Sequence, residues 1–318
     1  MQFHKFHTIE NNYREAFIQA ITLDPVYNEE WVVMEKAHGA NLNFTTDGQE
    51  VRLGKRTSFT DGTFFNCQSV YDRYKDSILK LISLTPYKTL TVYGELIGGH
   101  YPSVKKPKNS GKCPQTEIWY CPQSEFYAFD IRADGHYLSY DECIKYFEDV
   151  KIPYAKVLFR GKFTDALEYS NRTNADLTTI PSYFGLPDLP NNIREGNVLK
   201  PVNPTYIRMD PVVLKDKNDK YKEIKQSNVP EVKKEVDPRV SLILSELISY
   251  ITEPRFESVK SKYGEVSKKD IGKLIMELVE DAIQEWQKNT FKHIPKDIIK
   301  TVDKALKLIA SKIVLSKI

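Results

Sequence analysis

Lys36 and His38 stand two residues apart at the end of an apolar run, Trp31-Val32-Val33-Met34, with Glu35 before them and Asn41 after. An amine in that place is a candidate nucleophile. Free lysine titrates at about 10.4, so attack at neutral pH needs desolvation or nearby positive charge. The apolar run has the pattern of a buried strand and supplies the first. An isolated lysine beside a turn is usually only a surface group, so the weight falls on the segments downstream. Tyr93-Gly94-Glu95 puts a carboxylate near the end of a strand, within reach of a sugar hydroxyl or a metal. Glu195-Gly196-Asn197-Val198-Leu199-Lys200-Pro201 carries a carboxylate at one end and a lysine at the other. Lys215 and Lys217 share one strand face by the two-residue period, which suits a phosphate clamp. For each of these charges the bland role is a solvated strand end.

The elements that must position these residues are legible in pattern. A short amphipathic helix is expected within residues 4–22, entered near residues 10–12 and ended by Asp24-Pro25. Residues 41–46 alternate, Asp47-Gly48 gives a type I′ hairpin signal, and residues 50–56 return. That hairpin is expected to bring Lys55 and Arg56 beside the lysine turn, where two cations would depress the pKa of Lys36. Val70, Tyr74, Ile78 and Leu81 predict a core-facing helix over 69–84. Strands are predicted over 89–97 and 125–132, the latter turned by Asp134-Gly135. Ser139-x-x-Glu142 is a capping box for a helix over 140–150. Residues 100–121 read as a long surface loop, and residues 163–190 show no usable period. Beyond a charged stretch, Asp237-Pro238, Ser267 and Pro295 open three amphipathic helices, the first ending before Pro254.

The whole chain sets bounds on these readings. Its 318 residues, 41% apolar and 28% charged, suffice for one large or two medium domains with real cores. No run has the length of a transmembrane helix and residues 1–13 are too polar for a signal peptide, so a cytoplasmic or other reducing compartment is expected. Four scattered cysteines argue against a disulfide framework. Cys113, Cys121 and His100 could share a zinc, but without a CxxC pair plain thiols are the better reading. Net charge is only +3, yet seven lysines fall between residues 215 and 234. Solvated faces explain most such runs; a polyanion is the sharper alternative.

Taken as an ordered set, these segments resemble the nucleotidyltransferase motifs of the RNA ligase 2 family, which includes the phage RNA ligase 2 and the kinetoplastid RNA-editing ligases. Lys36-Ala-His-Gly-Ala-Asn41 resembles motif I, Tyr93-Gly94-Glu95 motif III, Phe126-Tyr-Ala-Phe-Asp-Ile131 the next, Glu195–Pro201 motif IV and Leu214-Lys-Asp-Lys217 motif V. DNA ligases and capping enzymes usually read Lys-x-Asp-Gly and continue into a β-barrel, whereas here His38 stands third and the tail is helical. The resemblance implies an α+β nucleotidyltransferase fold, with ATP-grasp-like antiparallel sheets and flanking helices, over residues 1–225. A linker over 226–236 and a small all-α RNA-positioning domain over 237–318 would follow.

It also implies ATP-dependent sealing of RNA 3′-hydroxyl and 5′-phosphate ends, through lysyl-AMP and RNA-adenylate. The substrate would be nicked duplex RNA and the protein a monomer. Lys36 would be the nucleophile, with Lys215, Lys217 and His38 in the catalytic set. Glu35, Asn41, Arg56, Glu95, Phe129, Lys200 and the two motif V lysines would hold the nucleotide. Glu195 would ligate Mg2+ or Mn2+, and Asp130 would be structural. The alternatives are a DNA or mixed-duplex ligase and an RNA-binding relative without activity.

Overall fold

A computed structural model describes residues 1–102, 104–108, 110–222 and 237–318. The expected linker at 226–236 lies outside them, as do Lys225, Lys233 and Lys234. The described chain divides into two units, Met1–Asn218 and Asp219–Ile318.

The first unit opens with an edge strand, β1 (Glu10–Asn11), and helix α1 (Glu15–Thr22). The expected single helix starts late because residues 10–12 are claimed by a ladder: the Glu10 N–H donates to Val213 O and the Asn12 N–H to Lys215 O, both at 3.0 Å. The chain continues through β2 (Trp31–Glu35), β3 (Ala40–Thr46), β4 (Val51–Lys55), β5 (Phe59–Thr60) and α2 (Gln68–Ser83). Next come β6 (Leu90–Gly98), β7 (Ser124–Ala133), β8 (His136–Tyr137), α3 (Tyr140–Val150), β9 (Val157–Gly161), α4 (Phe163–Thr173) and α5 (Ile180–Tyr183). β10 (Gly196–Pro201), the small hairpin β11 (Tyr206–Ile207) and β12 (Asp210–Pro211), and β13 (Leu214–Lys217) complete it.

Two sheets result, in the orders β5-β4-β3-β6-β7-β8 and β1-β13-β10-β2-β9. All pairs are antiparallel except β1 with β13. Alternation gives each sheet one apolar face. On the six-stranded sheet Leu42, Phe44, Val92, Leu96 and Phe126 pack with Val70, Ile78 and Leu81 of α2 and Phe147 of α3. On the five-stranded sheet Trp31, Val33, Leu199 and Leu214 pack with Phe17 and Ile21 of α1 and Phe163 of α4. Each such buried side chain stabilises by about 1.5–3 kcal/mol relative to exposure. On the six-stranded sheet the opposite face carries polar residues such as Asn41, Asn43, Thr45 and Glu95.

Three local readings need correction. The first hairpin has a four-residue loop, since Thr46 pairs with Val51; only Gly48 takes positive φ, and the Asp47 carboxylate ties the loop by accepting from the N–H groups of Gln49 and Glu50. The two-residue turn with both φ positive is Asp134-Gly135 instead. The 100–121 segment is a loop as expected, with residues 105–108 exposed, but it lies only partly at the surface, because Tyr101, Ile118, Tyr120 and Cys121 are buried. The 163–190 segment does hold a helix, α4, whose buried face includes Ser170 and Thr173 and so lacks a clean apolar stripe.

The described part of the second unit holds α6 (Pro238–Leu247), α7 (Glu253–Ser261), α8 (Ile271–Thr290) and α9 (Ile299–Lys317). Asp237 caps α6 by accepting from the Arg239 N–H. Ser267 and Asp270 form a capping box on the short turn that leads into α8. The unexpected helix is α7: Pro254 lies in its first turn, where its missing N–H costs nothing, and Thr252 caps it. Its sequence shows no clean apolar stripe because Arg255, fully buried and bonded to Tyr250 O and the Asp281 carboxylate, sits beside Phe256 and Val259. Leu247, Phe256, Leu278, Trp286, Leu306 and Val314 form the core.

Candidate active site

Strand β2 ends at Glu35, but the Lys36 N–H still donates to Gly196 O at 2.9 Å, and Gly196 is paired with Lys217 on the far side. Lys36 and Lys217 therefore flank one glycine. No other residue fits there, since Gly196 has φ +153° and a Cβ would lie 2.0 Å from Asp216 O. Glu195, just before it, extends its carboxylate between the two amines. Oε2 lies 2.7 Å from Lys36 Nζ and 3.4 Å from His38 Nδ1, while Oε1 lies 3.0 Å from Lys217 Nζ. The Glu195 side chain is 3% exposed against 21% for Lys36. Burial alone would raise its pKa, but Lys36, Lys217 and His38 outweigh that and hold it well below the usual carboxylate range.

The polar face of the six-stranded sheet supplies further groups. Asn41 on β3 pairs in register with Glu95 on β6. Gly39 lets the lysine loop press onto β6: a Cβ there would lie 2.1 Å from Leu96 O. Burial pushes the Glu95 carboxyl up to about 7, helped by Glu195 and opposed by Lys36, Arg56 and the Gly39 N–H. The amide oxygens Asn41 Oδ1 and Asn43 Oδ1 are buried without a hydrogen bond. Unmatched acceptors of this kind are costly unless a ligand donates to them.

Farther along, Tyr93 pairs with Asp130 and Gly94 with Ala128, so Phe129 is the extra residue of a β-bulge. Bulges re-aim a side chain, and this one breaks the simple alternation expected for the strand. Gly94 is needed for the same crossing, because a Cβ would meet the Phe126 ring at 2.4 Å. Lys200 Nζ lies 2.5 Å from Asp130 Oδ1, both side chains buried, and 3.4 Å from Phe129 O. Asp130 thus acts as the counter-ion that allows a lysine to be buried there.

Of the expected residues, Lys36, His38, Lys217 and Glu195 meet directly, and Glu95 and Arg56 share their field. Lys215 lies on the same strand face as Lys217, opposite Val198. Lys200 and Phe129 form a second cluster on Asp130. Two expectations fail. Glu35 does not face the cleft: its carboxylate accepts from Thr178 Oγ1 and from the N–H and Oγ1 of Thr179, so it anchors the start of α5. Lys55 points to the Phe64 ring, 5.9 Å away, so it does not prime Lys36. The neighbour of the Lys36 amine is an acid, not a pair of cations. Tyr120 Oη accepts a 2.8 Å bond from the His38 N–H, and no periodic signal in the sequence marks it.

A model of the RNA ligase family matches residues 29–217, the stretch that contains every group just described. The chain belongs to the RNA ligase family. It is thereby an enzyme of phosphodiester-bond formation, and residues 233–312 match the C-terminal region of T4 RNA ligase 2. RNA-editing ligase 2, mitochondrial, of Trypanosoma brucei brucei is 27% identical across 91% of this chain and 84% of its own. RNA-editing ligase 1, mitochondrial, of the same organism is 26% identical over 86% and 73%. A Naegleria gruberi RNA ligase mutant solved with AMP and Mn is 16% identical with a TM-score of 0.50, covering 70% of this chain and 58% of that one. That likeness shows the fold, and this chain spans less than two thirds of the solved protein. Among the described residues, no helix is long and apolar enough to cross a membrane.

Proposed function

We propose that this RNA ligase uses ATP to seal nicks in duplex RNA, joining a 3′-hydroxyl to a 5′-phosphate, with Lys36 as the covalent nucleophile. The observation that carries the reading is the Lys36–Glu195–Lys217 line, a partly exposed amine with a buried carboxylate and a second cation beyond it. The Lys36 amine attacks the α-phosphorus of ATP; the P–N bond forms as the bond to pyrophosphate breaks. AMP then passes to the RNA 5′-phosphate, and the 3′-hydroxyl displaces it. Such transfers depend on positioning and charge neutralisation more than on covalent help.

Lys217 and Lys215 hold the α-phosphate, Arg56 holds phosphate or ribose, Glu95 binds the ribose and Phe129 stacks on adenine. His38 and Asn41 serve the RNA-dependent steps, where the open amide oxygen of Asn41 would take a donor from the substrate. One buried carboxylate suits magnesium or manganese, which bind through one or two carboxylates plus substrate phosphates. Glu195 would hold that ion, which would neutralise the triphosphate. The lysine-dense C-terminal third would track the RNA backbone, so affinity should fall steeply with salt.

The test is incubation with ATP labelled at the α-phosphate, followed by nicked duplexes of RNA, DNA and mixed strands. A covalent adduct on the native chain, its absence from Lys36→Ala and sealing of the RNA nick are expected. No adduct on either protein would favour an RNA-binding role without catalysis. Adduct formation with preferential sealing of DNA would reassign the substrate.

A further inference from the structure

Residues 4–7 lie outside the matched family region, yet they pack on the nucleotide wall. Phe6 is 3% exposed. Its ring centroid lies 4.9 Å from Phe129, 5.0 Å from Tyr93 and 6.0 Å from Tyr137. The backbone on each side is tied as well: His4 O accepts from Tyr93 Oη at 3.0 Å, and His7 O accepts from Arg56 Nη2 at 3.5 Å. A short segment thus reaches both the arginine and the aromatic assigned to the nucleotide.

The bulge gives this contact its meaning. Phe129 has no residue opposite it on β6, so the ladder alone does not fix the direction of its side chain. Phe6 meets it at an interplanar angle of 61°, the edge-to-face arrangement that aromatic rings prefer, worth about 0.5–1.5 kcal/mol beyond area burial. Against a partly exposed ring on a bulge, that is enough to select one orientation.

We propose that residues 4–7 form a strap completing the nucleotide pocket, and that Phe6 is a positioning residue which holds the Phe129 ring ready to stack on a purine base. This rests on the reading of Phe129 as the base-stacking residue. Stacking energy is then gained without first ordering the ring, so ATP binds more tightly than it would to a ring free to turn. Groups that bind only the phosphates should not depend on Phe6.

The test uses the full chain and measures lysine adenylylation by ATP together with its reversal by pyrophosphate. Phe6→Ala should raise the KM for ATP about tenfold, leave the KM for pyrophosphate within about twofold, and lower Tm by only a few degrees. Phe6→Tyr should restore most of the ATP affinity. Should Phe6→Ala fold poorly, Phe6→Leu keeps the apolar volume without the ring and should show the same split in smaller measure. An unchanged KM for ATP, or equal rises in both KM values, would overturn the proposal. Failure of the unsubstituted protein to react with ATP would instead remove the functional reading, and this inference with it.

Discussion

The two faces of the five-stranded sheet use the same residue types for opposite ends. On the cleft face, Glu195 lies among Lys36, Lys217 and His38 and is held far below the ordinary carboxylate range. On the helix face, the Glu35 carboxylate accepts hydrogen bonds from Thr178 and Thr179 with the Arg194 guanidinium in its field, and burial, which outweighs them, raises its pKa. Asp216, between the two motif V lysines, likewise accepts from Ser170 Oγ at 2.8 Å and Asn174 Nδ2 at 3.0 Å. Asn197 donates to Ser170 and Thr173 while accepting from Arg194. Side chains one residue apart along a strand thus divide the labour, one line joining the Lys36–Glu195–Lys217 cluster and the next fixing the strand to α4 and α5.

The largest effects are expected on the cleft face. Lys36→Ala should abolish adenylylation, read by label incorporation, and should lower Tm less than Glu195→Ala does, because Lys217 and His38 still face the Glu195 carboxylate. Glu195→Ala should cut the adenylylation rate by about 100-fold or more and also destabilise, because removing one member of a buried ionic cluster leaves the others uncompensated. Equal activity in Glu195→Ala and the unsubstituted chain would erase the distinction between the faces.

On the helix face the ordering should reverse, with stability lost before activity. Ser170→Ala removes a donor to Asp216 and an acceptor for Asn197, so unfolding by urea should show a loss of about 1–3 kcal/mol. Its KM for ATP should change less than threefold. Glu35 allows a sharper test through pH. A carboxyl whose folded pKa is raised binds its proton more tightly in the native state, so its contribution to stability is greatest below the unfolded value and is lost as pH rises through the folded one. Glu35→Gln, which stays neutral, should therefore gain stability relative to the unsubstituted chain as pH rises from about 5 to 8. A difference that is flat or of opposite slope would show that Glu35 is charged and paired after all.

Tyr120→Phe should have the smallest effect. It leaves the His38 N–H without its acceptor, at a cost of about 1 kcal/mol. Sealing of RNA should slow more than adenylylation, if His38 serves the later steps.

How much of this was legible in the sequence follows from where each signal resides. Motif residues such as Lys36, Glu95, Glu195 and Lys217 lie on or beside short strands whose alternation and order can be read directly, and Ser139 and Asp237 announced their helices through local capping. The support was hidden. Ser170 and Thr173 are buried, and Asn174 is half-buried, only because Asp216 and Asn197 arrive from strands far away in sequence, so the apolar period of α4 fails where its contacts matter most. Tyr120 and Phe6 belong to segments without periodicity, and only tertiary packing gives them a role. The expected priming of Lys36 by Lys55 failed because a hairpin predicts register without predicting which way its last side chain turns.

The most direct measurement is peptide mapping by mass spectrometry after incubation with ATP and magnesium. The account predicts one AMP, attached at Lys36, lost on addition of pyrophosphate and absent from Lys36→Ala. AMP found on another lysine, or an unmodified chain that still seals RNA with ATP, would contradict it.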